Sequence, residues 1–495
     1  MSRSLYSRLA RRYRPEAGGL DRRGFLQLTL AASAGLLMSC STPPATKFRG
    51  VRRNGRTVLV VGAGFAGLAC AYELLSAGYQ VSVLEARKRV GGRVLSFGDF
   101  IKGRNVEGGG ELIGSNHPAW VAYAKRFGLS FLDVAEHKEL QEPILLGGKL
   151  LTESEGKALF EEMDEAFAAM TNDARAVDAD EPWKTPDASR LDHQSTLAWL
   201  GALKVSPRGQ AAIAAELSAN NCVALDRQSY LGNLTQVKGG GLAKYWTESE
   251  VYRCRGGNQR LAMKLAAAIG PERLLLEKPV SAIQAQGARV VVICADGQVL
   301  EADEVVLAVP PSVWPRIKFD PELPAALQPQ MGVGVKYLAE VRGRFWRRSR
   351  LAPDSLTDGM VSTTWDGTDG QAGEKGVCLT AFSGGPAAQT CLQRWSESED
   401  KAYLEELAKL YPDFKGSFVR SRFMNWPGEA WTGCSYSFPA PGQVTTVGPL
   451  LQSGVGRLHF AGEHACYKFV GYMEGALHSG VSLAKRLARR DGALN

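Results

Sequence analysis

The stretch from Thr57 to Glu85, TVLVVGAGFAGLACAYELLSAGYQVSVLE, leaves a chain few ways to fold. Thr57–Val61 is a short, unbroken apolar run rich in β-branched residues, which predicts a strand buried on both faces. Gly62-Ala63-Gly64-Phe65-Ala66-Gly67 follows, and Leu68, Ala71, Tyr72 and Leu75 then recur at helical spacing. Gly78 ends that helix, and Gln80–Leu84 predicts a second strand closing at Glu85. In such a unit each glycine has its own task. Gly62 admits the tight turn, Gly64 lets a pyrophosphate approach the backbone, and Gly67 lets helix and strand pack closely. The helix N-terminus offers free N–H groups and a positive dipole end to phosphate, and Glu85 is placed to accept ribose hydroxyls. The unit predicts a dinucleotide site and leaves FAD and NAD both open.

Most of the formal net charge of +8 sits in residues 1–39, where seven arginines face only Glu16 and Asp21. The remainder is too nearly neutral to be a nucleic-acid footprint. Within that start, DRRGFLQLTLAASAGLLMSC places Arg22-Arg23 and Phe25-Leu26 before an apolar run too short to span a bilayer. This resembles a twin-arginine signal, which predicts export by that machinery to the periplasm or cell envelope. Leu37-Met38-Ser39-Cys40 resembles a lipoprotein cleavage box, so lipidation of Cys40 and plain cleavage are both open. A basic tail with a buried helix is the plainer alternative. The other eight cysteines are scattered, the six histidines include no HExxH, and no zinc site is expected.

Further motifs narrow the choice of cofactor. Glu85-Ala86-Arg87 is followed by Gly91-Gly92-Arg93, and VEGGGELIG then carries Gly109, Gly110, Glu111 and Leu112. EKPVSAI contains Val280, FAGEHA contains Gly462 and Glu463, and GYMEG contains Gly471, Tyr472 and Met473. In this order the motifs resemble the FAD-dependent amine oxidases, monoamine oxidase most of all, over about residues 56 to 488. The resemblance implies that Glu85, Ala86, Arg87, Gly92, Arg93 and Val280 hold the adenosine and diphosphate. It implies that Gly109, Gly110, Glu111 and Leu112 pass beside the flavin and that Gly462 and Glu463 face its ribityl chain. The GYMEG turn would bring a helix N-terminus to the flavin ring, where reduction leaves negative charge.

The same resemblance implies the reacting groups. Tyr472, with Tyr436 of WTGCSYSFP, would form two aromatic walls around an amine. Lys336, in the alternating MGVGVKY, would sit near the flavin and handle protons or oxygen. Monoamine oxidases bond the flavin through a cysteine one place before the tyrosine, where this chain has Ser435, with Cys434 one residue earlier. That offset turns a side chain to the opposite face of extended backbone, so FAD is expected to be non-covalent. The implied substrate is a small amine or amino acid, with O2 or an electron carrier as acceptor. Rivals are an L-amino-acid oxidase or tryptophan 2-monooxygenase, a desaturase- or porphyrinogen-oxidase-like flavoprotein, and a flavoprotein without activity. Glu111 either selects dicationic amines or pairs with a neighbouring base.

The expected fold is α/β: a Rossmann-like FAD-binding domain in segments 56–135, 251–325 and 431–490. An inserted substrate domain takes 136–250 and 326–430, after a signal over 1–40 and a linker over 41–55. Gly239-Gly240-Gly241 reads as a flexible loop.

Overall fold

A computed structural model of the protein describes residues 4–14, 54–134, 137 and 139–494. The candidate export motif and Cys40 lie outside them. Helix α1 (Leu5–Tyr13) comes first, then strand β1 (Thr57–Val61), helix α2 (Phe65–Ser76) and strand β2 (Gln80–Leu84). β1 is central in a five-stranded sheet ordered Leu458–Phe460, Glu304–Leu307, β1, β2, Leu274–Leu275. All neighbouring pairs are parallel. A parallel sheet is covered on both faces, and β1 shows how. Val58 and Val60 enter the core formed with the helices, while Leu59 and Val61 enter the core formed with a smaller four-stranded sheet.

Helix α3 (Pro118–Phe127) and the last helix, Met473–Arg490, lie on the helical side. The last helix crosses α2 closely at Gly480, where a Cβ would come within 2.3 Å of the Ala66 carbonyl oxygen. Glu474, in its first turn, accepts hydrogen bonds from the N–H groups of Ala119 (2.8 Å) and Trp120 (2.9 Å). One carboxylate thereby satisfies two donors at the start of α3 that have no partner within that helix.

The two inserts share one seven-stranded sheet. Its order is Phe418–Met424, β3 (Gly334–Gly343), Lys375–Gly384, Thr363–Asp366, Ser355–Thr357, Ile144–Leu146, Lys149–Leu150. Lys336 is on β3 and pairs with Phe382 on one side and Met424 on the other, so it sits inside the sheet. Helices between residues 153 and 248 pack beside it, among them Glu153–Asp173, which opens with a Thr152–Glu155 capping box. No helix among the described residues is long and apolar enough to cross a membrane.

The reading of Gly239-Gly240-Gly241 as a flexible loop needs correction. Gly239 ends the helix Tyr230–Gly239, and a Cβ there would come within 2.4 Å of Lys468 Cβ. A Cβ on Gly240 would press on Tyr245 at 2.6 Å. These glycines let a helix end pack tightly against its neighbours.

Replacing Glu474 by Ala leaves two buried N–H groups without an acceptor and is expected to cost about 2–5 kcal/mol, read from denaturant midpoints. Burial pushes the Glu474 carboxyl up to about 7, against the two N–H donors. The folded state therefore holds this proton more tightly than the unfolded chain. Its contribution is full below the ordinary value of 4.5 and is lost as pH rises to about 7. The Tm difference between wild type and the non-titrating Glu474→Gln should narrow over that window.

Candidate active site

The dinucleotide end is built by the β1–α2 turn. Gly62 has φ 108°, its N–H donates to Leu84 O at 2.7 Å, and a Cβ there would lie 2.9 Å from Ala308 O. Gly64 caps α2 without any side-chain acceptor, and a Cβ on it would meet nothing within 4 Å. The first turn of α2 therefore faces open space with its donors free, as a phosphate requires. Glu85 is buried; its two oxygens accept from Ala63 N (2.8 Å) and Arg87 N (2.9 Å), which ties the glycine turn to the end of β2. Arg87 pairs with Glu429 and donates to Thr432 Oγ1 at 2.6 Å. Gly62, Gly64, Phe65, Ala66, Glu85, Ala86, Arg87, Gly92, Arg93 and Val280 all line one cavity. Gly67 does not; a Cβ there would strike Gly62 O at 2.0 Å, so its task is close packing.

The same cavity continues to the far end of the candidate set. Gly109, Gly110, Glu111, Leu112, Lys336, Tyr436, Gly462, Glu463, Gly471, Tyr472 and Met473 line it. Tyr472 is the N-cap of the last helix, again with no side-chain cap, and Gly471 before it has φ 81°. A second uncapped helix N-terminus thus opens onto the cavity. An extended dinucleotide with a charged middle and an electron-accepting ring fits this donor set.

Glu463 gathers the walls. Its carboxylate accepts from Arg93 (3.0 Å), Ser437 N (3.1 Å), Ser437 Oγ (2.6 Å) and Gly471 N (2.9 Å). Ser437 follows Tyr436 and Gly471 precedes Tyr472, so one buried acid sets both tyrosine-bearing turns. Burial alone would raise its pKa; Arg93 and these donors outweigh that and hold it below the usual carboxylate range. Tyr436 donates its hydroxyl to Asn220 O at 3.0 Å. The Tyr472 ring meets the edge of His117 at 5.3 Å, and burial pushes that imidazole down to about 3, so it is neutral.

Lys336 donates to Glu111 Oε2 (2.7 Å), Gly109 O (2.8 Å) and Glu107 O (3.3 Å), and its ammonium lies 5.4 Å from the Trp365 ring centroid. Glu111 also accepts from Arg253 Nε and Trp365 Nε1, both at 2.8 Å. Burial raises the Glu111 pKa, and Lys336 with Arg253 more than offsets it. Of the two readings of Glu111, the geometry matches pairing with a base. Ser312 Oγ donates to Cys434 Sγ at 3.3 Å, while Ser435 lines the cavity beside Tyr436; Cys434 and Ser435 lie in a bend, so strand alternation is not what separates them.

Sequence reasoning missed Trp426, Trp431 and Phe382 in the wall, and Arg253 and Trp365 behind Glu111. Trp431 opens the WTGCSYSFP motif and Arg253 precedes Gly256-Gly257, so both had a local marker, whereas Trp365, Phe382 and Trp426 had none.

Gly67→Ala should force α2 off β1 and lower the dinucleotide retained through purification, measured from visible absorbance per protein. Glu111→Ala leaves Lys336 and Arg253 buried without their counter-ion. It is expected to cost about 3–5 kcal/mol in unfolding experiments, with Glu111→Gln intermediate.

Residues 65–488 match the family model described as flavin containing amine oxidoreductase. Amine oxidase [flavin-containing] B of Homo sapiens is 28% identical over 477 residues, covering 89% of this chain and 88% of that protein. An L-amino acid dehydrogenase of a Synechocystis strain is 26% identical over 456 residues, covering 87% of this chain and 94% of that protein. Wild-type putrescine oxidase, solved bound to putrescine, has a TM-score of 0.79 and 26% identity, covering 88% of this chain and 99% of that one. With a glycine turn and two uncapped helix ends along one cavity, and the family model spanning nearly all of that framework, the chain belongs to the flavin containing amine oxidoreductases, FAD enzymes of the Rossmann-like fold.

Proposed function

We propose that the protein oxidises the C–N bond of a small amine to an imine, which water converts to an aldehyde or ketone with release of ammonia or an amine. FAD, when bound, supplies the two-electron acceptor. The observation that carries the reading is Tyr436 and Tyr472 in one cavity with Lys336 and the N-terminus of the last helix. The two phenol rings orient the amine and attract its cationic form before it loses a proton. The helix N-terminus, opened by Gly471, stabilises negative charge at the reacting end. Lys336, held by Glu111, handles a proton when dioxygen is reduced to hydrogen peroxide. No separate general base is needed if the neutral amine reacts.

A second reading, oxidation of an L-amino acid, draws support from the similarity to the Synechocystis dehydrogenase. Against it, Lys336 is neutralised by Glu111 and Arg93 by Glu463, so neither offers a spare cation to a substrate carboxylate. An anaerobic panel of amines and amino acids decides between them. Amines should bleach the visible absorbance, and bleaching by amino acids alone would overturn the amine reading. Peroxide formation in air then separates oxygen from a carrier as acceptor.

FAD is held without a covalent bond, since Cys434 faces Ser312 and Ser435 faces the cavity. Acid precipitation should leave the pellet colourless. Lys336→Met should slow recovery of the visible absorbance in air severalfold, and unchanged recovery would remove Lys336 from this role. The chain is exported by the twin-arginine route to the periplasm or cell envelope. Replacing Arg22 and Arg23 by Lys should keep it in the cytoplasm.

A further inference from the structure

Helix α1 lies before the candidate export motif, yet its inner face is core. Leu5, Tyr6, Leu9 and Ala10 are each at most 3% exposed. The Tyr6 ring meets Phe160, Phe167 and Trp246 with centroids 5.8, 4.8 and 5.9 Å away. Apolar anchors at this spacing are how an amphipathic helix beds in a groove.

The rim is matched in charge. Arg12 pairs with Glu142 (2.8 Å) and Glu153 (2.7 Å), and Arg14 pairs with Asp164. Asp164 also accepts the Tyr6 hydroxyl at 2.7 Å, and Arg8 lies 3.5 Å from Asp354. At the start of the helix, Ser4 N donates to Glu250 Oε2 at 3.0 Å and Leu5 N to Glu216 Oε2 at 3.3 Å. The acids come from several segments of the substrate domain, from Glu142 to Asp354. Arginines that resemble a leader's spare positive charge are therefore partnered by the body of the protein. Charge complementarity of this kind fixes register and excludes other occupants.

We propose that this groove is a binding site for a basic amphipathic helix, filled by residues 4–14 of the same chain, and that the helix remains there as a bound peptide when the chain is cut between α1 and β1. The covalent tether raises the local concentration of α1, and cutting it leaves the buried anchors and ion pairs to hold the peptide alone.

The test uses full-length holoenzyme with a site-specific protease sequence inserted after Lys47. After complete cutting and gel filtration at micromolar protein, intact mass of the enzyme peak should show body and leader peptide together, in the ratio of one copy each. Leu9→Asp, at a residue that does not line the flavin cavity, should weaken retention about tenfold or more. Separation of the wild-type peptide from the body overturns the proposal, whether or not the body stays soluble. A particle of twice the mass, with α1 exchanged between copies, overturns it too. In the uncut chain, amides of Leu9 to Tyr13 should exchange as slowly as those of Phe160 to Phe167, and exchange at free-peptide rates would refute the docking directly.

Discussion

The buried carboxylate of Glu463 is the clasp on which the cavity depends. It receives donors from Arg93, Ser437 and Gly471, which come from three separate parts of the chain. A carboxylate taken out of water is costly unless its lone pairs are filled. Filling them here requires that the loop after β2, the Tyr436 turn and the Tyr472 turn converge on one point. The electrostatic need and the shape of the site are thus the same requirement. A domain assembled from discontinuous segments gains a fixed centre that its local elements would not supply.

Lys336 and Glu111 meet the same constraint at the other wall. An ammonium on an interior strand of a mixed sheet persists only because Glu111 and two backbone carbonyls accept its hydrogen bonds. Glu111 in turn needs Arg253 and Trp365 to complete its shell. Networks of this kind add little net stability over an apolar core, but each member fixes the position of the next. The lysine is held beside the cavity by the Glu107–Glu111 segment, with Trp365 against its ammonium.

Water exclusion sets the protonation of the remaining groups. His117 is neutral against Tyr472, and Glu474 has its carboxyl raised while it holds the start of α3. His117 lies against the N-cap of the last helix and Glu474 in its first turn. Tyr472 is therefore backed by a neutral imidazole, in surroundings from which water is excluded.

The sequence alone determined the β1–α2–β2 unit, the roles open to Gly62, Gly64 and Gly67, and the helix that begins after Tyr472. These follow from local rules: alternating or helical burial, backbone freedom at glycine, and donors exposed at a helix start. The placing of Cys434 and Ser435 is not local in that sense, because both lie in a bend rather than in extended backbone. Only the tertiary structure decided that Glu111 turns to Lys336, that Trp426 and Phe382 close the wall, and that Gly239 is a packing point. It alone decided that Arg12 and Arg14 of α1 are paired with Glu142 and Asp164. Those outcomes depend on which distant groups share a desolvated space, and the charge or bulk that selects each partner lies far away along the chain, 130 residues for Arg12 and Glu142 and 225 for Lys336 and Glu111.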